Sequence, residues 1–303
     1  MLRTKGRLLL TPIFLSLEQV YFDGADFSWK NVVKTWLVTC DISAYSDFLF
    51  SLFEKYIDGI LSLRKKECKE PVPCIEINLI RSLCNLMDTF CTATNGITVD
   101  PNPESTKLIA MWFAFSIVWS IGGAVDEEGR KKIDTFLREN EVASVQGAGT
   151  LYEYVVDKKG EWTSFSEQIP SIWKPASNTP FYKVLVPTVD TVRFIYIAQE
   201  LMMANKQLLI VGDSGVGKSF IMQEAVGRLG AANMLVSAIN FSAQTSSQRL
   251  QFIVEGRVEK RTKDVFGPPG GKKMVYVIDD LNMPAKDTFG SQPPLELLRH
   301  WLD

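Results

Sequence analysis

The sequence is poor in the residues that build most metal, redox and nucleic-acid sites. It has one histidine, His300, and five cysteines, Cys40, Cys68, Cys74, Cys84 and Cys91. An odd cysteine count without C-x-x-C spacing argues against a zinc clamp or a disulfide framework, so reduced thiols in a cytosolic compartment are expected. Positive charge is not in excess: 33 Lys and Arg face 35 Asp and Glu, for a net charge of -2. No basic face for nucleic acid follows from that balance, so a phosphate ligand would have to be held locally. The longest apolar run, Leu108 to Ile121, contains Ser116 and Ser120 and falls short of the about 20 residues that cross a bilayer. It reads as a buried core helix, and no membrane partner is expected. Arg3, Lys5 and Arg7 before the apolar stretch Leu8 to Leu17 imitate a secretory leader, but Pro12 interrupts the stretch and no small-residue cleavage site follows.

With 303 residues, 46% apolar and 22% charged, the chain can build about two globular domains. From Trp29 to Asn140 the apolar residues recur at three- and four-residue spacing, predicting helices over Lys34–Leu63, Ile75–Thr92, Thr106–Ile121 and Asp126–Arg138. Glu70-Pro71-Val72-Pro73 and Asp100-Pro101-Asn102-Pro103 separate them, and Ser105 or Thr106 is a candidate cap for the helix that follows. Residues 20–140 thus read as an all-α domain after an atypical segment, 1–19. Residues 141–185 are rich in glycine, proline and aromatics, including Trp162, Phe165, Trp173, Pro175, Pro180 and Phe181. An ordered but irregular connector is expected there, being too aromatic for a disordered linker. From residue 186 helices and strands alternate: helix Val189–Ala204, strand Leu208–Val211, helix Lys218–Leu229, strand Met234–Phe241, helix Ser246–Lys260 and strand Met274–Ile278. Alternation of this kind predicts an α/β fold with a doubly wound parallel sheet.

The chemistry concentrates after the first of these strands. Gly212-Asp213-Ser214-Gly215-Val216-Gly217-Lys218-Ser219 satisfies G-x-x-x-x-G-K-[ST] between a strand and a helix, the context the phosphate-binding loop requires. Its glycines permit a tight loop whose backbone N–H groups converge on phosphate oxygens. Lys218 supplies charge to the outer phosphates, Ser219 offers a hydroxyl to Mg²⁺, and the helix N-terminus adds its positive dipole end. Downstream, the apolar strand Met274–Ile278 ends in Asp279-Asp280, the form of a Walker B element. Paired carboxylates there would repel without a cation, so Asp279 is the expected Mg²⁺-linked residue and Asp280 the expected water-polarising base. A dinucleotide fold is excluded because Phe220, not glycine, stands three residues after Gly217. His300 is expected to be structural or exposed. Glu259-Lys260-Arg261 and Lys272-Lys273 read as solvated faces, and Pro268-Pro269-Gly270-Gly271 as a turn.

Several stretches together resemble the dynein heavy chain, especially its axonemal branch. They are Val186-Pro187-Thr188-Val189-Asp190-Thr191-Val192-Arg193, Asn240-Phe241-Ser242-Ala243-Gln244-Thr245-Ser246, Val265-Phe266-Gly267-Pro268-Pro269, Asp279-Asp280-Leu281-Asn282-Met283-Pro284 and Phe289-Gly290-Ser291-Gln292-Pro293-Pro294. Trp112 through Gly123 is similar to the lid helix that precedes the family's third AAA+ module. The resemblance covers about Val20 to Asp303 and implies the helical lid of the second ring module followed by the start of the third, within a ring of six.

That resemblance implies Val186, Pro187 and Thr188 near an adenine, Gly212 to Ser219 on the phosphates of ATP or ADP, and Ser219 with Asp279 at Mg²⁺. Lys218 and Asp280 would then be the catalytic pair. It further implies the other AAA+ modules of the ring, intermediate and light chains and microtubules as partners of the full-length assembly, in a cytoskeletal, axonemal setting. Microtubule contact is not expected in this segment itself. Residues 1–19 do not resemble the family. Asp280 stands where AAA+ modules carry Glu, one methylene longer, so slow or absent hydrolysis is expected. The family's sensor strand, arginine finger and last lid have no counterpart here, which predicts an unfilled slot in the sheet and an aggregation-prone chain without turnover of its own. The alternatives are a structural nucleotide-sensing module without turnover and a free-standing P-loop ATPase.

Overall fold

The computed structural model describes residues 28–143, 145, 147–175, 180, 184–229, 234–263 and 265–302. They fall into two compact units that divide between Gln146 and Gly147. The leader-like stretch and the rest of residues 1–19, together with Phe181, lie outside the described residues.

Among its described residues the first unit has only helices. Helices α1 (Trp29–Thr39) and α2 (Ser46–Glu67) replace the single helix expected over Lys34–Leu63. The break has a tertiary cause. Tyr45, in the turn between them, is buried and donates its hydroxyl to the carbonyls of Thr98 and Asp100 at 3.0 and 2.9 Å. Helix α3 (Glu76–Phe90) follows the Glu70–Pro73 loop, which Arg64 clamps through Glu70 Oε1 at 2.7 Å and the Cys74 carbonyl at 3.2 Å. Helix α4 (Pro103–Ser120) starts earlier than expected. Its cap is Asn102, whose side chain accepts from Ser105 N at 2.7 Å, with Pro103 at the first helical position where a missing N–H costs nothing. The Ser105 hydroxyl instead accepts from Thr98 N at 3.1 Å. Asp126 caps α5 (Glu127–Glu139) by accepting from Gly129 N at 2.9 Å.

Helix α4 is apolar on every side because it is central. Trp112 stacks on Phe90 at 4.6 Å, Phe113 meets Phe53 edge-on at 5.0 Å, and Phe115 lies edge-on to both Phe90 and Trp112. With the turn that follows it, the stretch Pro103–Ala124 has 22 residues and is long and apolar enough, by length and composition, to cross a membrane. The length estimate from the apolar run alone was therefore too short. Burial accounts for the composition: Ile109, Phe113, Phe115 and Ile117 are wholly enclosed by protein.

The second unit opens with a short hairpin where irregular chain was expected. Strands β1 (Tyr154–Val156) and β2 (Trp162–Ser164) pair antiparallel. Phe165, fully buried, meets Tyr196 of helix α6 (Val189–Met203) edge-on at 5.7 Å, and Arg193 donates to the Tyr152 carbonyl at 3.4 Å. Helix α7 (Lys218–Leu229) leads to strand β3 (Met234–Asn240), helix α8 (Ser247–Glu255), the small hairpin β4 (Glu259–Lys260) and β5 (Phe266–Gly267), strand β6 (Lys273–Asp279) and helix α9 (Pro293–Leu302). The helix expected to reach Lys260 ends at Glu255 because Gly256 terminates it and Glu259–Lys260 is drawn into the hairpin. Arg261, expected as a solvated charge, also braces that hairpin by donating to the Pro268 carbonyl at 2.9 Å.

Strands β3 and β6 pair parallel, from Met234 opposite Lys273 to Asn240 opposite Asp279. Helices cover both faces. Ile195, Ala198 and Met202 of α6 and Ala225, Val226 and Leu229 of α7 form one core with Val275 and Val277. Ile239, Phe241 and Leu250 form the other with Tyr276, Ile278 and Leu295, Leu297 and Leu298 of α9. Leu208–Val211, expected as a strand, is not one. It has no ladder partner among the described strands, so its β-prone residues have no hydrogen bonds to convert into sheet. Leu208 still packs on the α6–α7 core, while Leu209 and Val211 are exposed.

Candidate functional site

The site forms where Gly212–Ser219 meets the end of β6. Gly215 and Gly217 adopt φ of 81° and 85°, the left-handed region that excludes most side chains, and an added Cβ at either would face open space. Lys218 opens α7, and its Nζ lies 3.0 Å from the Gly212 carbonyl and 2.6 Å from the Asp213 carbonyl, inside the loop's curve. Ser219, one residue into α7, donates its hydroxyl to Asp279 Oδ2 at 2.5 Å.

That contact crosses 60 residues of sequence. It arises because Asp279 falls on the same face of β6 as Val277 and Val275, the face packed on α7. A hydroxyl and a carboxylate side by side are hard oxygen donors. They suit Mg²⁺, which is held by one or two protein groups and completes its shell with phosphate oxygens and water. The residues present thus fit a Mg-nucleotide. Among the described residues no cluster of three or more His, Cys, Asp or Glu is arranged to hold a metal by itself. None of the five cysteines is in a disulfide, and burial pushes the Cys40 and Cys91 thiols up, further from the thiolate form that binds metals.

Asp280 follows at a turn. It is exposed, adopts φ of 54°, and donates its backbone N–H to Asp279 Oδ1 at 3.0 Å. Pro187 and Thr188 sit at the start of α6. The Thr188 hydroxyl accepts from Thr191 N at 3.2 Å, and Thr191 Oγ1 accepts from Thr188 N at 2.7 Å, a capping box that explains the Thr-x-x-Thr spacing locally. The structure thus joins Ser219 to Asp279, and Lys218 to its own loop, through side-chain contacts. The hydrogen bonds of Thr188 stay within the helix start. His300 is exposed on α9.

Sequence reading passed over how the loop after β6 is built. Asp287 accepts from Phe289 N, Ser291 N and Ser291 Oγ at 2.8, 2.9 and 2.6 Å, and the Ser291 hydroxyl, with these N–H groups, holds its carboxyl below the usual carboxylate range. An aspartate two residues before Phe289-Gly290 is a recognisable turn signal. Gln292, which ties the same loop to α9, carries no such local signal.

A glycine-rich G-x-x-x-x-G-K-[ST] loop that opens a helix and meets an acidic strand end, with helices on both faces of a parallel sheet and a helical domain before it, defines a P-loop AAA+ region with a helical lid. Comparison with known proteins narrows this. Residues 49–167 match the dynein heavy chain AAA lid domain, and residues 173–303 match the P-loop containing dynein motor region. Human dynein axonemal heavy chain 2 is 47% identical over 285 residues, covering 94% of this chain and 6% of the relative. The dynein-1-beta heavy chain of the flagellar inner arm I1 complex of Chlamydomonas reinhardtii is 37% identical over 94% of this chain and 7% of the relative. The ciliary dynein beta chain of Tripneustes gratilla is 29% identical over 97% of this chain and 7% of its own length. The chain belongs to the dynein heavy chain family, as part of an axonemal-type motor region. It spans about 6 to 7% of the length of these relatives.

Proposed function

We propose that residues 186–303 bind Mg-ATP or Mg-ADP as one nucleotide site of a ciliary or flagellar dynein ring and so contribute to microtubule-based movement. The observation that supports it best is the 2.5 Å contact of the Ser219 hydroxyl with Asp279, set beside a loop with two left-handed glycines. When bound, Mg²⁺ neutralises phosphate charge and orients the terminal phosphate. Backbone N–H groups of Gly212 to Ser219 hold the phosphates, and Lys218 turns from its own carbonyls toward them. Ser219 and Asp279 hold the metal. Pro187 and Thr188 border the adenine, and Asp280 polarises water at the metal end. In the full-length assembly the partners are the other AAA+ modules of the ring, intermediate and light chains, and microtubules.

A second reading rests on Asp280. Its carboxylate is exposed and one methylene shorter than the Glu of related modules, which favours a site that holds nucleotide and stiffens the ring without turning it over. Titration calorimetry with Mg-ATP and Mg-ADP tests the shared claim: Lys218→Ala should abolish binding that the unaltered chain shows at micromolar to millimolar nucleotide. No heat of binding from the unaltered chain at millimolar nucleotide would refute it. Single-turnover hydrolysis separates the two readings, since Asp280→Asn should slow hydrolysis and leave affinity unchanged if the site turns over.

A further inference from the structure

The turn after β6 is held from outside the nucleotide loop. Asp280 keeps a left-handed backbone, which aspartate tolerates more readily than bulky residues but which still needs support. Its carbonyl accepts from Met283 N at 2.9 Å. The carbonyls that follow are gathered by one side chain: Gln292 Nε2 donates to Asn282 O at 3.1 Å and to Pro284 O at 2.6 Å. Gln292 also begins α9, because its own carbonyl accepts from Leu295 N at 2.9 Å and Glu296 N at 3.2 Å. Leu281 from the turn and Leu295, Leu297 and Leu298 from α9 pack into the same core, beneath the sheet face opposite α7. A displacement of α9 therefore carries Gln292 and the carbonyls it holds.

We infer that Gln292 is a positioning residue for Asp280, and that α9 is the lever through which the Asp280 carboxylate is presented to, or withdrawn from, the metal end of the phosphate loop. The role assigned to Asp280 rests on the proposed function, but the hold of Gln292 on the Asn282 and Pro284 carbonyls of the same turn does not. Glutamine suits the task because one nitrogen carries two N–H donors for two carbonyls. An ionised glutamate of the same length has no donor and sets charge against both oxygens. Asp287 closes the far side of the loop through Ser291 independently, so loss of Gln292 loosens the 280–284 turn and leaves the remainder in place.

Amide hydrogen exchange on the nucleotide-free chain tests the hold, with Gln292→Ala and Gln292→Glu compared to the unaltered protein. Exchange at Asp280 and Met283 should speed up about tenfold, with the α7 amides unchanged and the melting temperature lowered by at most a few degrees. Gln292→Glu should regain part of the protection below about pH 5, where its protonated carboxyl donates one hydrogen bond. That profile reports the hydrogen bonds themselves, and hydrolysis reads their consequence for Asp280. In single-turnover assays Gln292→Ala should slow ATP hydrolysis about tenfold with Mg-ADP affinity within about twofold. Unchanged exchange at residues 280 and 283 overturns the inference, as does equal loosening of all of α9 and β6, or affinity falling in step with hydrolysis. An unaltered chain that binds no nucleotide would sink the proposed function alone, and the exchange result would still decide on Gln292.

Discussion

At the scale of single residues the site depends on Ser219 and Asp279 acting as a pair. Each loses its partner when the other is replaced by alanine, so Ser219→Ala and Asp279→Ala should each weaken Mg²⁺-dependent nucleotide binding by about tenfold, and the double variant should be little worse than either. Calorimetry at fixed free Mg²⁺ measures this, and additive losses would show that the two groups serve different ligands. Glu200 gives a second residue-scale test. Desolvation inside α6 raises its carboxyl above the usual carboxylate range. The folded chain then binds that proton more tightly than the unfolded chain. Its contribution favours the fold below the unfolded value of about 4.3 and is lost as pH rises through the folded value. Glu200→Gln should therefore raise the melting temperature at pH 7 by roughly 1 to 3 °C, with the two curves converging near pH 4. A variant that melts lower at pH 7 would contradict the sign.

At the scale of elements, caps and clamps decide where helices begin and stop. Asn102→Ala removes the acceptor for Ser105 N at the head of the central helix α4, and should cost about 1 kcal/mol of stability, read from chemical denaturation. Ser105→Ala acts differently, since it leaves the cap intact and strips a partner from Thr98 N. Arg64 carries more weight: its side chain is 6% exposed and pairs with Glu70 at 2.7 Å. Arg64→Ala should cost about 3 to 5 kcal/mol, because a carboxylate that is itself largely enclosed is left without its cation. Glu70→Gln, which keeps acceptor geometry for Arg64, should cost less, and no cost at all would show that the charge contributes nothing. Most helices of the first unit were legible from apolar spacing and proline breaks. The turn between α1 and α2 was not, because its cause, the Tyr45 hydroxyl on Thr98 and Asp100, lies more than 50 residues away.

At the scale of the molecule, ligand binding should appear as stability of the second unit. A ligand that binds only the folded state adds RT ln(1 + [L]/Kd), about 2.7 kcal/mol at one hundred times Kd. Saturating Mg-ADP should thus slow exchange of the α7 and β6 amides in proportion to ligand concentration, and amides indifferent to nucleotide would argue against the site. The sequence by itself determined the G-x-x-x-x-G-K-[ST] motif, the acidic end of β6, most of the α/β order and the family, because each is written in contiguous residues whose spacing follows one turn or one strand. Tertiary structure alone decided that Ser219 meets Asp279 across 60 residues, and that Leu208–Val211 joins none of the described strands where its apolar run promised one. It also decided that Gln292 reaches back to the carbonyls behind Asp280. The reason is the same in each case: a strand or a side-chain contact exists only when its partner arrives, and the partner's position is a property of the packed chain.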